Sequence, residues 1–315
     1  MQGFRKILAG VDLSHGDRLV SSELNPSTEE AVRRAIWLAT HVSGEITFLA
    51  ALELSPQADE LLRKPAAGDE PTVDDEARAE LEALVSRAGA EGARASAKLV
   101  HGKAWEELIR EAAREQHDVV IVGTRHRGRV SRTLFGSTAT KLVRYCPVPV
   151  WVTRPDPDWS DLKVLAATDF SDVSQRALDL AVQMGQLVDI KLSILHALEP
   201  VLDVRLLRRS FTPEELEAQR QAAREQAERR LQEQLARTDY RTLKFGVQPH
   251  VIEGPAELVI LEFLDQQQID LIVMGTLGRA GLPGLFVGNT AERLLPQLPC
   301  SVLAVKPEGF VSPLV

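Results

Sequence analysis

Ile269-Asp270-Leu271-Ile272-Val273-Met274-Gly275-Thr276-Leu277-Gly278 is followed by nine residues and then by Gly288-Asn289-Thr290. A short apolar run that ends in glycines and then a helix start reads as a buried strand feeding a loop. Many α/β proteins hold phosphate in this way. Glycine lets the backbone approach an anion, and the N–H groups of a helix start point at it. The same residues also suit a loop that only turns the chain. The spacing is not a Walker A motif and lacks its lysine.

The stretch occurs twice. Subtracting 152 from the numbering turns Gly275-Thr276 into Gly123-Thr124, Gly288 into Gly136, Thr290 into Thr138 and Pro299 into Pro147. It also turns Gly254 into Gly102, Ala256 into Ala104 and Asp270 into Asp118. One offset that holds from Gly254 to Pro299 without a gap is an internal repeat, and it sets the domain count. The 315 residues give two domains, 1–155 and 156–315, each long enough for its own core. Arg154-Pro155-Asp156-Pro157-Asp158 joins them.

Composition narrows the class. With 44% hydrophobic and 26% charged residues the chain reads as soluble and globular. A net charge of −8 disfavours nucleic acid as a partner, because a phosphate-tracking surface needs clustered Lys and Arg. The start, Met1-Gln2-Gly3-Phe4-Arg5-Lys6, leads straight into a strand without a signal-peptide core, and no apolar run is long enough for a membrane span. A cytoplasmic protein is expected. Cys146 and Cys300 lack zinc-site spacing and read as reduced structural thiols, with a disulfide as the alternative.

Each half reads β-α-β-α-β-α-β-α-β. First strands are expected over 6–12 and 163–169, second over 45–52 and 190–198, and third over 94–100 and 244–252. Fourth strands fall at 118–123 and 270–275, and fifth at 148–153 and 301–306. Short apolar runs of this kind belong to strands buried on both faces. Ser171-Asp172 caps a helix that runs to about 187. The first half reaches its matching helix 11 residues later, through an insertion with Gly16 and Asn25-Pro26 that reads as a surface loop, either a lid or a length variation. A loop over 55–72 and a helix over 73–88 follow, against a longer helix over 213–236 in the second half. Thr212-Pro213-Glu214-Glu215 starts that helix, and Leu216, Ala223, Ala227, Leu231 and Leu235 mark its apolar face. The remaining helices are expected over 104–116, 137–145, 256–268 and 289–298.

Right-handed crossovers turn each half into an open, doubly wound parallel five-stranded α/β sheet. Ligands in such sheets bind beyond the strand ends at the switch point, here between the first and fourth strands. Asp169 stands on one side and can accept from a ribose hydroxyl or an adenine edge. Gly275, Gly278 and Gly288 let the loop backbone wrap phosphates, and Asn289 and Thr290 add side-chain donors. His196, near the end of the second strand, is either a core histidine or a ligand contact.

The chain resembles the universal stress protein family in its tandem two-domain form. The resemblance rests on Val11-Asp12-Leu13-Ser14 and Thr168-Asp169-Phe170-Ser171, on the G-xx-G-x9-G pattern, and on Cys146-Pro147-Val148-Pro149-Val150 and Leu298-Pro299-Cys300-Ser301-Val302. It implies a Rossmann-like fold of the adenine nucleotide α-hydrolase type and binding of ATP, often with a divalent metal such as Mg²⁺. Carried over, the contacts are Asp169, Ala197, Gly275, Gly278, Gly288, Asn289 and Thr290. In the first half they are Asp12, Gly123, His126, Arg127, Gly136 and Ser137. His126 stands where the second half has Gly278, amid Arg125, Arg127 and Arg129, so the first phosphate loop reads as degenerate. The second half departs at Asn289, where the family has Ser or Thr. The resemblance also implies an internal pseudo-dimer through the fifth strands, 148–152 beside 302–306, with a homodimer and an unidentified protein as further partners. A sensor or regulator of the stress response is expected. Neither a Ser-His-Asp set nor a cluster of metal ligands emerges; slow ATP hydrolysis or autophosphorylation would rest on the resemblance alone. The alternatives are a nucleotide-independent scaffold or chaperone-like protein, a binder of another small amphiphilic ligand, and an adenine-nucleotide transferase.

Overall fold

The computed structural model describes residues 3–15, 18–53, 71–124, 135–155, 162–199, 212–277 and 288–315. The chain divides into two compact units, one of Met1–Pro157 with Gly309–Val315 and one of Asp158–Glu308. The last seven residues thus group with the first unit, whereas the repeat alone assigns them to the second.

The first unit runs β1 (Lys6–Val11), α1 (Pro26–Val42), β2 (Glu45–Leu52), α2 (Val73–Ala90), β3 (Arg94–His101), α3 (Ala104–Arg114), β4 (Val119–Gly123), α4 (Ser137–Tyr145) and β5 (Val150–Thr153). Its strand order is β3-β2-β1-β4-β5, and the neighbouring strands are parallel. The second unit runs β6 (Leu162–Ala167), α5 (Asp172–Leu187), β7 (Ile190–Leu198), α6 (Pro213–Leu235), β8 (Val247–Glu253), α7 (Ala256–Gln267), β9 (Leu271–Gly275), α8 (Asn289–Leu294) and β10 (Ser301–Val305). Its order, β8-β7-β6-β9-β10, is also parallel. In both units the first strand lies between the second and the fourth, so the switch point falls where the sequence puts it.

The central strands are buried on both faces. Ile7, Leu8 and Ala9 of β1, Val119 to Ile121 of β4 and Leu271 to Val273 of β9 are all 0% exposed. Burial of apolar area on this scale is the main favourable term in such a sheet. Cys146 and Cys300 are both buried thiols rather than a disulfide. Among the described residues no helix is long and apolar enough to cross a membrane.

Several boundaries differ from the sequence reading. Asn25-Pro26 is not part of the inserted loop. Asn25 is the N-cap of α1, its side chain accepting from the Thr28 N–H at 2.9 Å, and Pro26 is the first helical residue. β8 begins at Val247 rather than 244, because Gly246 takes a φ of +66° and interrupts the extended backbone. α8 ends at Leu294 and tightens into a 3₁₀ turn over Leu295–Gln297, because Pro296 has no N–H to continue the helix. The apolar stripe of α6 is buried only toward its C-terminus, at Ala227, Leu231 and Leu235, while no described side chain over 212–226 is buried. Gly16, most of the 55–72 loop and residues 156–158 of the linker lie outside the described residues.

Candidate functional site

At the carboxyl ends of β6 and β9 the second unit opens a cleft of about 630 Å³. Asp169, His196 and Ala197 line one part of it, and Gly275, Gly288, Asn289 and Thr290 another. Leu195, Ile260, Met274 and Leu277 give it apolar wall. Of the second-half contacts read from the sequence, all but Gly278, which lies outside the described residues, therefore meet at one place.

Local bonding fixes the Asp169 side. Ser171 donates to Asp169 Oδ1 twice, through its N–H at 3.0 Å and its hydroxyl at 2.5 Å. Ser171 is also the N-cap of α5 and accepts from the Ser174 N–H at 3.3 Å. The aspartate is thus anchored to the helix start beside it. Phe170, between the two, has a φ of +63°. Its N–H donates to Thr168 Oγ1 at 2.9 Å. The Thr168 hydroxyl donates in turn to Gln234 Oε1 of α6 at 2.8 Å and lies 2.9 Å from Ser174 Oγ.

His196 is half-buried. Its Nδ1 lies 2.9 Å from the Thr168 carbonyl oxygen. That oxygen only accepts, so Nδ1 carries the hydrogen. The imidazole stacks on Phe170 with ring centroids 4.1 Å apart, and it also lines the cleft.

The loop side is tied at both ends. The Thr276 N–H donates to the Val305 oxygen at 2.9 Å, and the Gly288 N–H donates to the Thr276 oxygen at 2.6 Å. The Gly288 amide is therefore taken up within the loop, while the residue itself lines the cleft. As N-cap of α8 it makes no side-chain cap, and its φ of −76° suits any residue. Gly275 has a packing role of its own: a Cβ there would lie 2.8 Å from Val173 Cγ1 of α5. The sequence reading gave this glycine to the phosphates and missed its helix contact.

In the first unit Asp12 makes the same pair of hydrogen bonds, its Oδ1 accepting from the Ser14 N–H at 3.1 Å and hydroxyl at 2.6 Å. A Cβ on Gly123 would lie 2.3 Å from the Ser27 oxygen of α1. Gly136 is the N-cap of α4, and Ser137 its exposed first residue. His126 and Arg127, with Arg125 and Arg129, lie outside the described residues. Among the described residues no group of three or more His, Cys, Asp or Glu is placed to hold a metal ion.

The model of the Universal stress protein family matches residues 3–154 and again 162–306. The chain belongs to the universal stress protein family. It carries two copies of the universal stress protein domain in tandem. Universal stress protein E of Photorhabdus laumondii is 26% identical over 330 aligned positions, covering 100% of this chain and 98% of the relative. The crystal structure of a universal stress protein from Archaeoglobus fulgidus superposes with a TM-score of 0.66 at 20% identity, covering 96% of this chain and 98% of that one. A functionally unknown protein from Pseudomonas aeruginosa superposes with a TM-score of 0.68 at 23% identity, covering 98% and 94%. These two likenesses show the shared fold.

Proposed function

We propose that the second unit binds an adenine nucleotide, ATP with Mg²⁺ foremost, in the cleft between β6 and β9. On this reading the protein acts as a nucleotide-responsive regulator of the stress response rather than by turnover, in the cytoplasm. The observation that carries the reading is the cleft itself, with an anchored aspartate on one side and an uncapped helix start on the other.

The fit can be argued group by group. A volume of about 630 Å³ lies within the ~300–1,000 Å³ typical of small-molecule sites. The apolar wall suits a base, and Asp169 suits the ribose hydroxyls. Asn289 and Thr290 offer side-chain donors and first-turn amides to phosphate. α8 has only six residues, so individual donors carry the argument rather than a helix dipole. Among the described lining residues the charged side chains are two carboxylates, Asp169 and Glu199, and Glu199 already accepts from the Ala256 N–H at 3.0 Å. A polyphosphate beside them needs a counter-charge. Mg²⁺ supplies one when bound, since it takes one or two carboxylates together with phosphate oxygens and water.

A second reading, a scaffold that needs no nucleotide, is favoured by the exposed start of α6 over 212–226. Thermal unfolding of the intact chain separates the two. Saturating Mg-ATP should raise Tm, because a ligand at about 100 times its Kd adds about 2.7 kcal/mol to the folded state. Chelating Mg²⁺ should remove most of the rise. Asp169→Asn keeps an acceptor for Ser171 but loses the charge, and should bind at least about tenfold more weakly. A Tm indifferent to every adenine nucleotide would favour the scaffold.

A further inference from the structure

We propose that Gln234 and Arg230, one turn apart on α6, are positioning residues that clamp the Asp169 turn into the shape the cleft requires. The inference rests on the nucleotide reading above and deepens it, because neither residue lines the cleft.

Phe170 takes a φ of +63°, a region that a bulky side chain rarely adopts. Among the described residues the other non-glycine positions with positive φ are Ser43, Gln116 and Gln268, and all three follow helix C-termini, where such angles are routine. Phe170 instead precedes a helix and adjoins Asp169. A strained residue of this kind persists only where its surroundings over-determine it.

Those surroundings come from α6. The Phe170 N–H donates to Thr168 Oγ1, and that hydroxyl donates to Gln234 Oε1. Gln234 Nε2 lies 3.4 Å from Ser174 Oγ, which itself donates to the Ser171 oxygen at 2.8 Å. Thr168, Ser174 and Gln234 are 7%, 4% and 5% exposed, so no competing water solvates the network freely. The Phe170 ring is held on its own account. It stacks on His196, and the Arg230 guanidinium carbon sits 4.4 Å from its centroid. α6 thus fixes the turn once through its backbone and once through its ring.

The first unit lacks the device. Val11 and Ala50, paired in its sheet, take the places of Thr168 and His196, and Leu13 that of Phe170. Val11 has no hydroxyl, Leu13 no aromatic ring, and Leu13 is not among the positive-φ residues. The clamp belongs to the unit for which binding is proposed.

The test compares Gln234→Leu and Arg230→Met with Leu231→Ala, all in the intact chain. Leu231 is buried on the same helix and is outside the clamp, so its truncation lowers stability without touching the turn. Two quantities are read well below Tm: Kd for Mg-ATP, and hydrogen exchange of the Phe170 amide without nucleotide. We expect both clamp variants to exchange that amide about five- to tenfold faster and to bind about five- to tenfold more weakly, the effect of one lost hydrogen bond or cation–π contact. Leu231→Ala should lower Tm and leave both readouts at wild-type values. Unchanged exchange in the clamp variants, or faster exchange with unchanged Kd, would overturn the inference. If the wild-type chain binds no adenine nucleotide, the functional proposal fails separately, and Phe170 exchange alone then decides whether the clamp exists.

Discussion

His117 shows what a single substitution between the repeats does. It is 5% exposed, with Nδ1 3.3 Å from the Glu111 oxygen and Nε2 3.3 Å from Thr47 Oγ1. Burial pushes its pKa down; the Glu111 and Glu115 charges oppose that shift and Lys6 adds to it. His250, stacked edge-on against Phe263 with centroids 4.8 Å apart, is pushed down by burial as well. The folded state therefore holds fewer protons at these rings than the unfolded chain does. Their stabilising contribution is complete above the unfolded pKa of about 6.5 and is lost as pH falls through the lower folded value. The repeat puts Ile269 at the place of His117, so this acid sensitivity has no counterpart there in the second unit. Tm should fall between about pH 7.5 and pH 5, and His117→Gln should shrink that fall. An undiminished fall in the variant would assign the acid sensitivity to other groups.

Elements start and stop for reasons that the sequence shows unevenly. Asp118 and Asp270 stand out in the repeat only as acids before apolar runs. In the fold Asp118 Oδ2 accepts from the N–H groups of Arg5 and Lys6, both at 2.8 Å, and Asp270 accepts from Lys163 at 2.8 Å. Each acid thus ties the start of the fourth strand to that of the first. Asp118→Ala should cost about 1 kcal/mol, and Asp118→Asn, which keeps an acceptor, clearly less; chemical denaturation measures both. Equal costs would mean that the charge and not the hydrogen bonds matters. Periodicity made the strands legible, because a parallel sheet buried on both faces leaves continuous apolar runs. It misread Asn25-Pro26, since the same dipeptide serves a turn or a helix start. Only the burial of Ser27 and Thr28 against the sheet decides for the helix. It also over-extended the stripe of α6, because Leu216 and Ala223 keep helical spacing but are only half-buried.

Across the whole molecule, one domain design occurs twice with different detail. The candidate site was legible where topology dictates it. Strand order alone brings Asp169 and Gly275 to one crevice, and both line the cleft. The clamp was not legible, because Gln234 and Arg230 reach the turn from a helix sixty or more positions away and no local pattern marks them. The proposal places the nucleotide in the second unit. Calorimetric titration of the intact chain with Mg-ATP, beside Gly288→Val and Asp12→Asn, tests it most directly. We expect about one ATP per chain, binding sharply weakened by Gly288→Val, which the backbone accommodates and which adds bulk at a residue lining the cleft, and binding unaffected by Asp12→Asn. Binding that survives Gly288→Val and disappears with Asp12→Asn would put the nucleotide in the first unit and overturn the proposal.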